Sequence, residues 1–427
     1  MISRLLRRSS DRAGLSVSGL SGWPRAWCVG LAALALCWGG LSGGHAQAQS
    51  LSPSLGAVGF SEPPPGMPMP PEIAARGFIL QDLSSQQTLA LRQPDQAVPP
   101  ASLTKLMTAY LVCQAVAAGK LTWETSLPMS ERASRAAVVS GARALVAPGA
   151  RLTVAELLRG MAVLGANDAA VALAEGVAGS VDDFVARMNR QAQVFGLKAT
   201  QFRNPDGLAV SGQTSTPREL AWIAVRLLTD YPQVIEHYRQ SSLTLNRVTQ
   251  LSTNLLLLRD PSVDGLQVAH ADRLGHAMAA TSRRPVGGSE RRLVAVVVGT
   301  ASAQARATET QKLLNWGYSA FDVVRLFAAG QAVSAAPVWK GSARTVPLGR
   351  TQPILVAVPR GQAALIRTTL TRQDPLLAPL AQGQAVGELR ISLGTQPWQT
   401  LPLQALEAVP SAGWLGRTWD AIRLGIQ

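Results

Sequence analysis

The segment PASLTKLMTAYLV at residues 100–112 places Ser102 three residues before Lys105, at the start of an apolar run. Residues three apart share one face of a helix, so the lysine amine can reach the serine hydroxyl. A lysine held out of water has a lowered pKa and can act as a base, which a serine needs to become a nucleophile. An isolated Ser-x-x-Lys match is nevertheless more simply explained by a serine helix cap followed by a solvated lysine.

The first 48 residues have the pattern of a secretory signal peptide. They open with arginines, continue with the apolar run at 27–44 and end at Ala46-Gln47-Ala48, which fits the small-x-small rule for cleavage before Gln49. The run is short for a bilayer, so a retained anchor is the less favoured alternative. Leu36 is too large for the position before a lipidated Cys37. We therefore predict a periplasmic protein.

The composition excludes several classes of function. Among 427 residues, 47% are hydrophobic and 15% are charged, which excludes wholesale disorder. Without the five arginines and one aspartate of the leader, the net charge falls from +14 to +10. The basic residues are scattered, so we expect no nucleic-acid partner. Cys113 would be the only remaining cysteine, which excludes an internal disulfide and favours a small core residue.

The pattern along the chain predicts an α+β fold with an antiparallel sheet. A Pro-rich linker at 49–75 precedes a hairpin at 77–93, a β-branched strand at 291–300 and four main helical segments, at 102–118, 154–177, 181–196 and 217–228. A further helix is expected at 303–316. Strands at both ends of a helical middle favour one sheet with helices packed on it, spanning 76–328.

The last hundred residues differ in composition. Residues 329–410 have short apolar runs and frequent Gly and Pro, which predict a small all-β domain. Residues 411–427 predict an amphipathic helix whose apolar stripe contains Leu415, Trp419, Ile422 and Ile426. Such a helix can dock on its own domain or lie in a membrane interface, and the sequence leaves both open.

Five segments in sequence order carry a resemblance to a known family. They are residues 98–112, 157–175, 195–208, 216–224 and 263–270. Together they resemble the low-molecular-mass penicillin-binding proteins, the serine-type D-alanyl-D-alanine carboxypeptidases, over about 77–320. The resemblance implies a β-lactamase/transpeptidase-like sheet with helices, followed by the all-β domain and the terminal helix.

The resemblance also implies roles for individual residues. Ser102 would form the acyl-enzyme and Lys105 would accept its proton, while Asn167 would hold the peptide. The N–H groups of Ser102 and His270 would form the oxyanion hole, and Gln267 would bind substrate. Peptidoglycan stem peptide is the implied partner and β-lactam antibiotics are candidate ligands, with no cofactor or metal required. The helix would hold the protein on the outer face of the inner membrane.

Two motifs depart from the family pattern. Gly165-Ala166-Asn167 stands where the family has Ser-x-Asn, and Gln267-Val268-Ala269 where it has Lys-Thr-Gly. Gln267 brings no charge for the terminal carboxylate of a substrate, which would weaken binding about tenfold. Losing the relay serine would cost roughly another 100-fold in rate. Arg273 could replace the charge, although nothing in the sequence places its side chain.

These departures leave two interpretations open. The protein is either a weakened or narrowed carboxypeptidase that keeps Ser102, Lys105 and Asn167, or a non-catalytic member that binds peptidoglycan or a cell-wall partner. The closely matching nucleophile segment favours the first. A β-lactamase fits less well, because the all-β domain and the terminal helix are superfluous for a soluble hydrolase and no glutamate stands out as the base.

Overall fold

A computed structural model describes residues 60–139, 145–245, 247–286 and 289–413. The predicted signal peptide, residues 49–59 of the predicted linker and residues 414–427 of the predicted terminal helix lie outside these ranges. Within them, no helix is both long enough and apolar enough to cross a membrane.

The first part of the chain alternates strands and helices. In order, they are β1 (Gly77–Asp82), β2 (Gln87–Arg92), α1 (Lys105–Ala117), β3 (Ser126–Pro128), α2 (Glu131–Val139), β4 (Arg151–Thr153), α3 (Val154–Leu164), α4 (Asn167–Ala178), α5 (Val181–Val194), α6 (Pro217–Asp230), α7 (Ile235–Tyr238), β5 (Ser242–Leu245), β6 (Val248–Leu251), β7 (Val263–Gly265), β8 (Val268–Ala271), β9 (Gly275–Val286), β10 (Ser289–Thr300) and α8 (Ala303–Ser319).

A six-stranded antiparallel sheet forms the centre of this part. Its order is β2-β1-β10-β9-β7, and β8 also pairs with β9. Successive side chains of β10 point to opposite faces: Val294 and Val296 join the core that contains α1 and α6, while Leu293 and Ala295 join the core under α8. Because both faces are covered, this strand is apolar throughout rather than alternating.

The helices contain one difference from the sequence prediction. The pattern at 154–177 predicted continuous helix, but the structure ends α3 at Leu164 and starts α4 at Asn167. The residue between them, Gly165, has a φ of 71° and caps α3 in the left-handed conformation, which glycine adopts without a steric cost. The break places the side chain of Asn167 at the start of a helix, within reach of α1.

The rest of the chain is all-β, apart from a 3-10 turn. It contains β11 (Phe321–Phe327), β12 (Ala332–Trp339), β13 (Thr345–Gly349), β14 (Ile354–Pro359), β15 (Ile366–Arg372), β16 (Leu376–Leu377), β17 (Ala385–Leu393) and β18 (Gln396–Ala405). Six of these form a sheet in the order β15-β17-β18-β13-β12-β16. β11, which lies before the predicted boundary at 328, pairs with β14. The predicted fold class, helices on an antiparallel sheet followed by an all-β domain, is confirmed.

The described part of the Pro-rich segment lies on the folded domains. Arg218 donates to Glu62 over 2.7 Å, and Met67 packs against apolar clusters of both the first part and the β domain. Ile73 is buried. From residue 60 onward the segment is therefore docked and not a free spacer.

Candidate active site

Ser102 lies in a 3-10 turn, Ala101–Thr104, directly before α1. The sequence pattern placed it inside the helix, whereas the α-helix begins at Lys105. Ala101 has a φ of 46°, a left-handed conformation that costs a non-glycine residue roughly 1–2 kcal/mol. The turn holds the Ser102 hydroxyl, which is partly exposed, at the end of a helix whose remaining side chains are almost all buried.

The amine of Lys105 makes three hydrogen bonds. It donates to Oγ of Ser102 over 3.1 Å, to Oδ1 of Asn167 over 2.7 Å and to the carbonyl oxygen of Asp206 over 2.5 Å. An ammonium group has three N–H donors, so these acceptors match it fully. The structure thus brings together Ser102, Lys105 and Asn167, the three residues predicted to be catalytic.

Burial lowers the pKa of Lys105 to about 8. The side chain is fully buried, which disfavours its charged form, while the carboxylates of Asp206 and Asp168 partly oppose this shift. Near neutral pH a useful fraction of the amine is therefore unprotonated. A neutral amine 3.1 Å from a hydroxyl is a suitable general base for that hydroxyl.

Asn167 is the first residue of α4, and its neighbour Asp168 fixes that helix end. Asp168 is fully buried and accepts from the N–H of Leu145 over 2.6 Å and from that of Ala169 over 2.9 Å. Burial raises the pKa of this carboxyl, and the backbone donors and Lys105 oppose the rise. Asp168 therefore holds the loop at 145 against the helix that presents Asn167.

The loop at 204–208 packs on the nucleophile turn, a role that the sequence analysis did not assign. Its Asp206 carbonyl binds Lys105, and the Pro205 carbonyl accepts from the hydroxyl of Thr108 over 2.6 Å. Gly207, with a φ of 86°, leaves no room for a side chain, since a Cβ would lie 1.9 Å from the Ala101 carbonyl oxygen. The quoted segment 195–208 contained these residues, but main-chain acceptors have no side-chain signature.

The altered third motif lies on the strand β8 beside this turn. Gln267 is fully buried, with Oε1 unpartnered among the described residues and Nε2 only 3.4 Å from the Val268 carbonyl oxygen. The Val268 side chain packs in the core under α8. Arg306, also buried, donates to the carbonyl oxygens of Ala269 and Thr253 over 3.3 and 3.2 Å. β8 packs against the turn that contains Ser102, so Gln267 and Ser102 lie on neighbouring elements.

His270 and Arg273 lie at the exposed end of β8. His270 is exposed and its ring stacks on that of His276, with ring centroids 4.2 Å apart. Arg273 is exposed in the turn between β8 and β9, where its carbonyl oxygen accepts from Arg76 over 3.0 Å. His270 therefore adjoins the site through its strand, while Arg273 lies in the turn beyond it.

A buried lysine bonded to a serine and an asparagine, set beside an antiparallel sheet, is the arrangement of a serine–lysine acyl-transfer enzyme. Comparison with known proteins gives the family. The sequence profile of the D-alanyl-D-alanine carboxypeptidase family matches residues 65–302, and that of the penicillin-binding protein 5 C-terminal domain matches 321–411. The chain belongs to this carboxypeptidase family, and the resemblance seen in the sequence is confirmed.

Individual relatives agree with this assignment. The chain is 32% identical to the D-alanyl-D-alanine carboxypeptidase DacA of Haemophilus influenzae, over 84% of this chain and 91% of that protein. It is also 32% identical to DacA of Escherichia coli, over 91% and 94% respectively. The crystal structure of penicillin binding protein 5 from Haemophilus influenzae is similar, with a TM-score of 0.73 and 32% identity over 81% of this chain and all of that one.

Proposed function

We propose that this protein is a serine-type D-Ala-D-Ala carboxypeptidase that acts on peptidoglycan stem peptides through an acyl-enzyme, with weakened turnover. The observation that carries the proposal is the buried Lys105 amine, 3.1 Å from the Ser102 hydroxyl and with a pKa lowered to about 8. The relatives with this fold are named D-alanyl-D-alanine carboxypeptidases. A related penicillin-binding protein from Listeria monocytogenes, 28% identical, was crystallised with ampicillin bound, which supports β-lactams as ligands here.

The first half-reaction uses the neutral form of Lys105. The amine takes the Ser102 proton while Oγ attacks the carbonyl carbon of the penultimate D-alanine. The N–H groups of Ser102 and His270 are the expected donors to the resulting oxyanion. As the C–N bond breaks, the proton on Lys105 passes to the departing amino group. Water then attacks the ester, with Lys105 again as the base, and releases the shortened peptide.

Two replacements are the basis for weakened turnover. Gly165 provides no hydroxyl between Lys105 and the leaving group, so the proton has to travel without that relay. Gln267 is neutral where the family uses a lysine to bind the terminal carboxylate. The alternative, a non-catalytic member that binds peptidoglycan or a cell-wall partner, would keep the fold and the Lys105 contacts but form no acyl-enzyme.

Intact mass separates these alternatives. The protein without its leader is incubated with a reactive fluorescent penicillin and, separately, assayed for D-alanine release from a D-Ala-D-Ala peptide. Wild type and Ser319→Ala, an exposed serine far along the chain in α8, are expected to gain one adduct, and Ser102→Ala none. A folded wild-type protein that forms no adduct and releases no D-alanine would establish the non-catalytic alternative.

We further propose that the protein works in the periplasm, on the outer face of the inner membrane. The signal-peptide pattern of residues 1–48 and the amphipathic pattern of 411–427 support this location. Deleting 411–427 is expected to move the protein from the membrane fraction to the soluble periplasmic fraction. Recovery of the full-length protein in the soluble fraction would favour a tail that docks on its own domain.

A further inference from the structure

The side-chain amide of Gln267 is buried without adequate hydrogen bonds. Its Oε1 atom has no partner among the described residues, and Nε2 has one long contact of 3.4 Å to a neighbouring carbonyl. An unsatisfied buried polar group costs about 1–3 kcal/mol. Such a group beside a reactive serine is a candidate contact for a ligand.

A gap the size of a small side chain lies over this amide. A Cβ built on Gly165 would lie 4.0 Å from Nε2 of Gln267 and within 4 Å of no other atom of the described chain. Gly165 itself is partly exposed, and two residues further on Asn167 contacts Lys105. The gap therefore joins the Gln267 amide to the place where the substrate reacts.

The cations near this gap are already engaged. Lys105 donates to three acceptors, and Arg306 donates to the carbonyl oxygens of Ala269 and Thr253. A carboxylate in the gap would have only acceptor atoms, so one of its oxygens would face Oε1 of Gln267 without a hydrogen. A carboxamide has both an N–H donor and a C=O acceptor, and it can pair with Oε1 and Nε2 of Gln267 at once.

We propose that Gln267 and the gap at Gly165 form a subsite for a neutral carboxamide, so that the preferred substrate is a D-alanyl-D-alanine peptide amidated at its C-terminus. This inference rests on the proposed function for the reaction itself. Ser102 Oγ bonds to the penultimate carbonyl carbon, the C–N bond breaks, and D-alaninamide leaves with the proton held by Lys105. Water then hydrolyses the ester, and the peptide departs as a free acid.

The test compares two peptides that differ only at the C-terminus, one ending in D-Ala-D-Ala carboxylate and the other in the corresponding carboxamide. Dissociation constants are measured on Ser102→Ala, which cannot turn them over, and product release is measured on wild type. We expect about tenfold tighter binding and faster release for the carboxamide, by the difference of one or two hydrogen bonds. Gln267→Lys is expected to reverse the preference, and Gln240→Lys, an exposed control, to leave it unchanged.

A second pair of variants tests the gap. Gly165→Ala places a methyl group over the amide and is expected to abolish the carboxamide preference. Gly179→Ala has the same kind of backbone strain, with a φ of 83° against 71°, but its Cβ would have open space at the end of α4. It is expected to keep the preference.

The outcomes separate the inference from the proposed function. Equal binding of the two peptides, or tighter binding of the carboxylate, overturns the carboxamide subsite. Tighter binding of the carboxamide with no release from either peptide overturns the acyl-enzyme function while the subsite stands. An unchanged preference in both Gln267→Lys and Gly165→Ala would also overturn the subsite, because the discrimination would then arise elsewhere.

Discussion

The amine of Lys105 donates to Oδ1 of Asn167 over 2.7 Å, a shorter contact than its 3.1 Å bond to Ser102. The asparagine therefore orients the amine toward the nucleophile as well as satisfying one of its donors. The bond crosses from α4 to α1 and depends on the helix break at Gly165, which sets where α4 begins. Both the position and the proton affinity of Lys105 should respond to changes at Asn167.

Asn167→Ala removes this acceptor and leaves a buried N–H of Lys105 without its partner. We expect the acylation rate of Ser102 with a fluorescent penicillin to fall roughly tenfold or more, since the lost bond costs about 1–3 kcal/mol. Asn167→Asp is the informative companion. It keeps the acceptor and adds a negative charge, so it should raise the pKa of Lys105 and move the midpoint of the acylation pH profile upward. An unchanged midpoint in Asn167→Asp would contradict the role given to this contact.

The acylation rate of the wild-type protein should rise with pH and level off above a midpoint near 8. Burial lowers the pKa of Lys105 to about 8, so the neutral base forms at a lower pH than in an exposed lysine. Well below the midpoint, the rate should fall about tenfold per pH unit. Stopped-flow acylation between pH 6 and 10 measures this, and a midpoint at the ordinary lysine value would show that another group is the base.

The same shift predicts how stability depends on pH. Between the folded pKa of about 8 and the model lysine value of 10.5, the unfolded chain binds more protons at Lys105 than the folded one. The contribution of Lys105 to the free energy of unfolding should therefore increase as pH rises from 8 to 10.5. Urea unfolding of wild type and of Lys105→Met at both ends of this window isolates it. A difference between the two proteins that does not change with pH would contradict the shift.

Most of the scaffold could be predicted from periodicity. The hairpin at β1 and β2, the strand β10 and the helix α6 all agree with their sequence patterns, because burial on one or both faces leaves a clear alternation or an apolar run. The break at Gly165 could not, since apolar residues recur at helical spacing on both sides and an isolated glycine is compatible with a continuous helix. Only the φ of 71° reveals that this glycine ends α3.

The site was predictable in part, for a similar reason. The side-chain pairing of Ser102, Lys105 and Asn167 has a signature in residue type and order, so resemblance could assign it. The third acceptor of Lys105, the carbonyl of Asp206, could not be found this way, because any residue has a carbonyl group. The orphaned Oε1 of Gln267 is likewise a consequence of packing, which the sequence shows only as a substitution.

Gly207→Ala should disrupt the nucleophile turn. The new methyl group would lie 1.9 Å from the Ala101 carbonyl oxygen, so either the turn or the loop has to move. We expect a loss of about 2–4 kcal/mol in the free energy of unfolding, from the positive φ and the overlap together, and a large loss of acylation. Gly179→Ala, with a φ of 83° and open space, carries the strain without the overlap and should lose only about 1–2 kcal/mol with acylation retained. Equal losses in the two variants would contradict the contact.

The buried ion pair between Asp82 and Arg291 should contribute far more to folding than an exposed pair on the same hairpin. Nε of Arg291 lies 2.7 Å from Oδ2 of Asp82, and both side chains are almost fully buried. Asp82→Ala leaves a buried guanidinium without its counter-charge, so we expect a loss of about 3–5 kcal/mol in urea unfolding. Glu290→Ala breaks the exposed pair with Arg283 and should cost less than about 1 kcal/mol. Similar costs for the two substitutions would show that water reaches Arg291 and screens its charge.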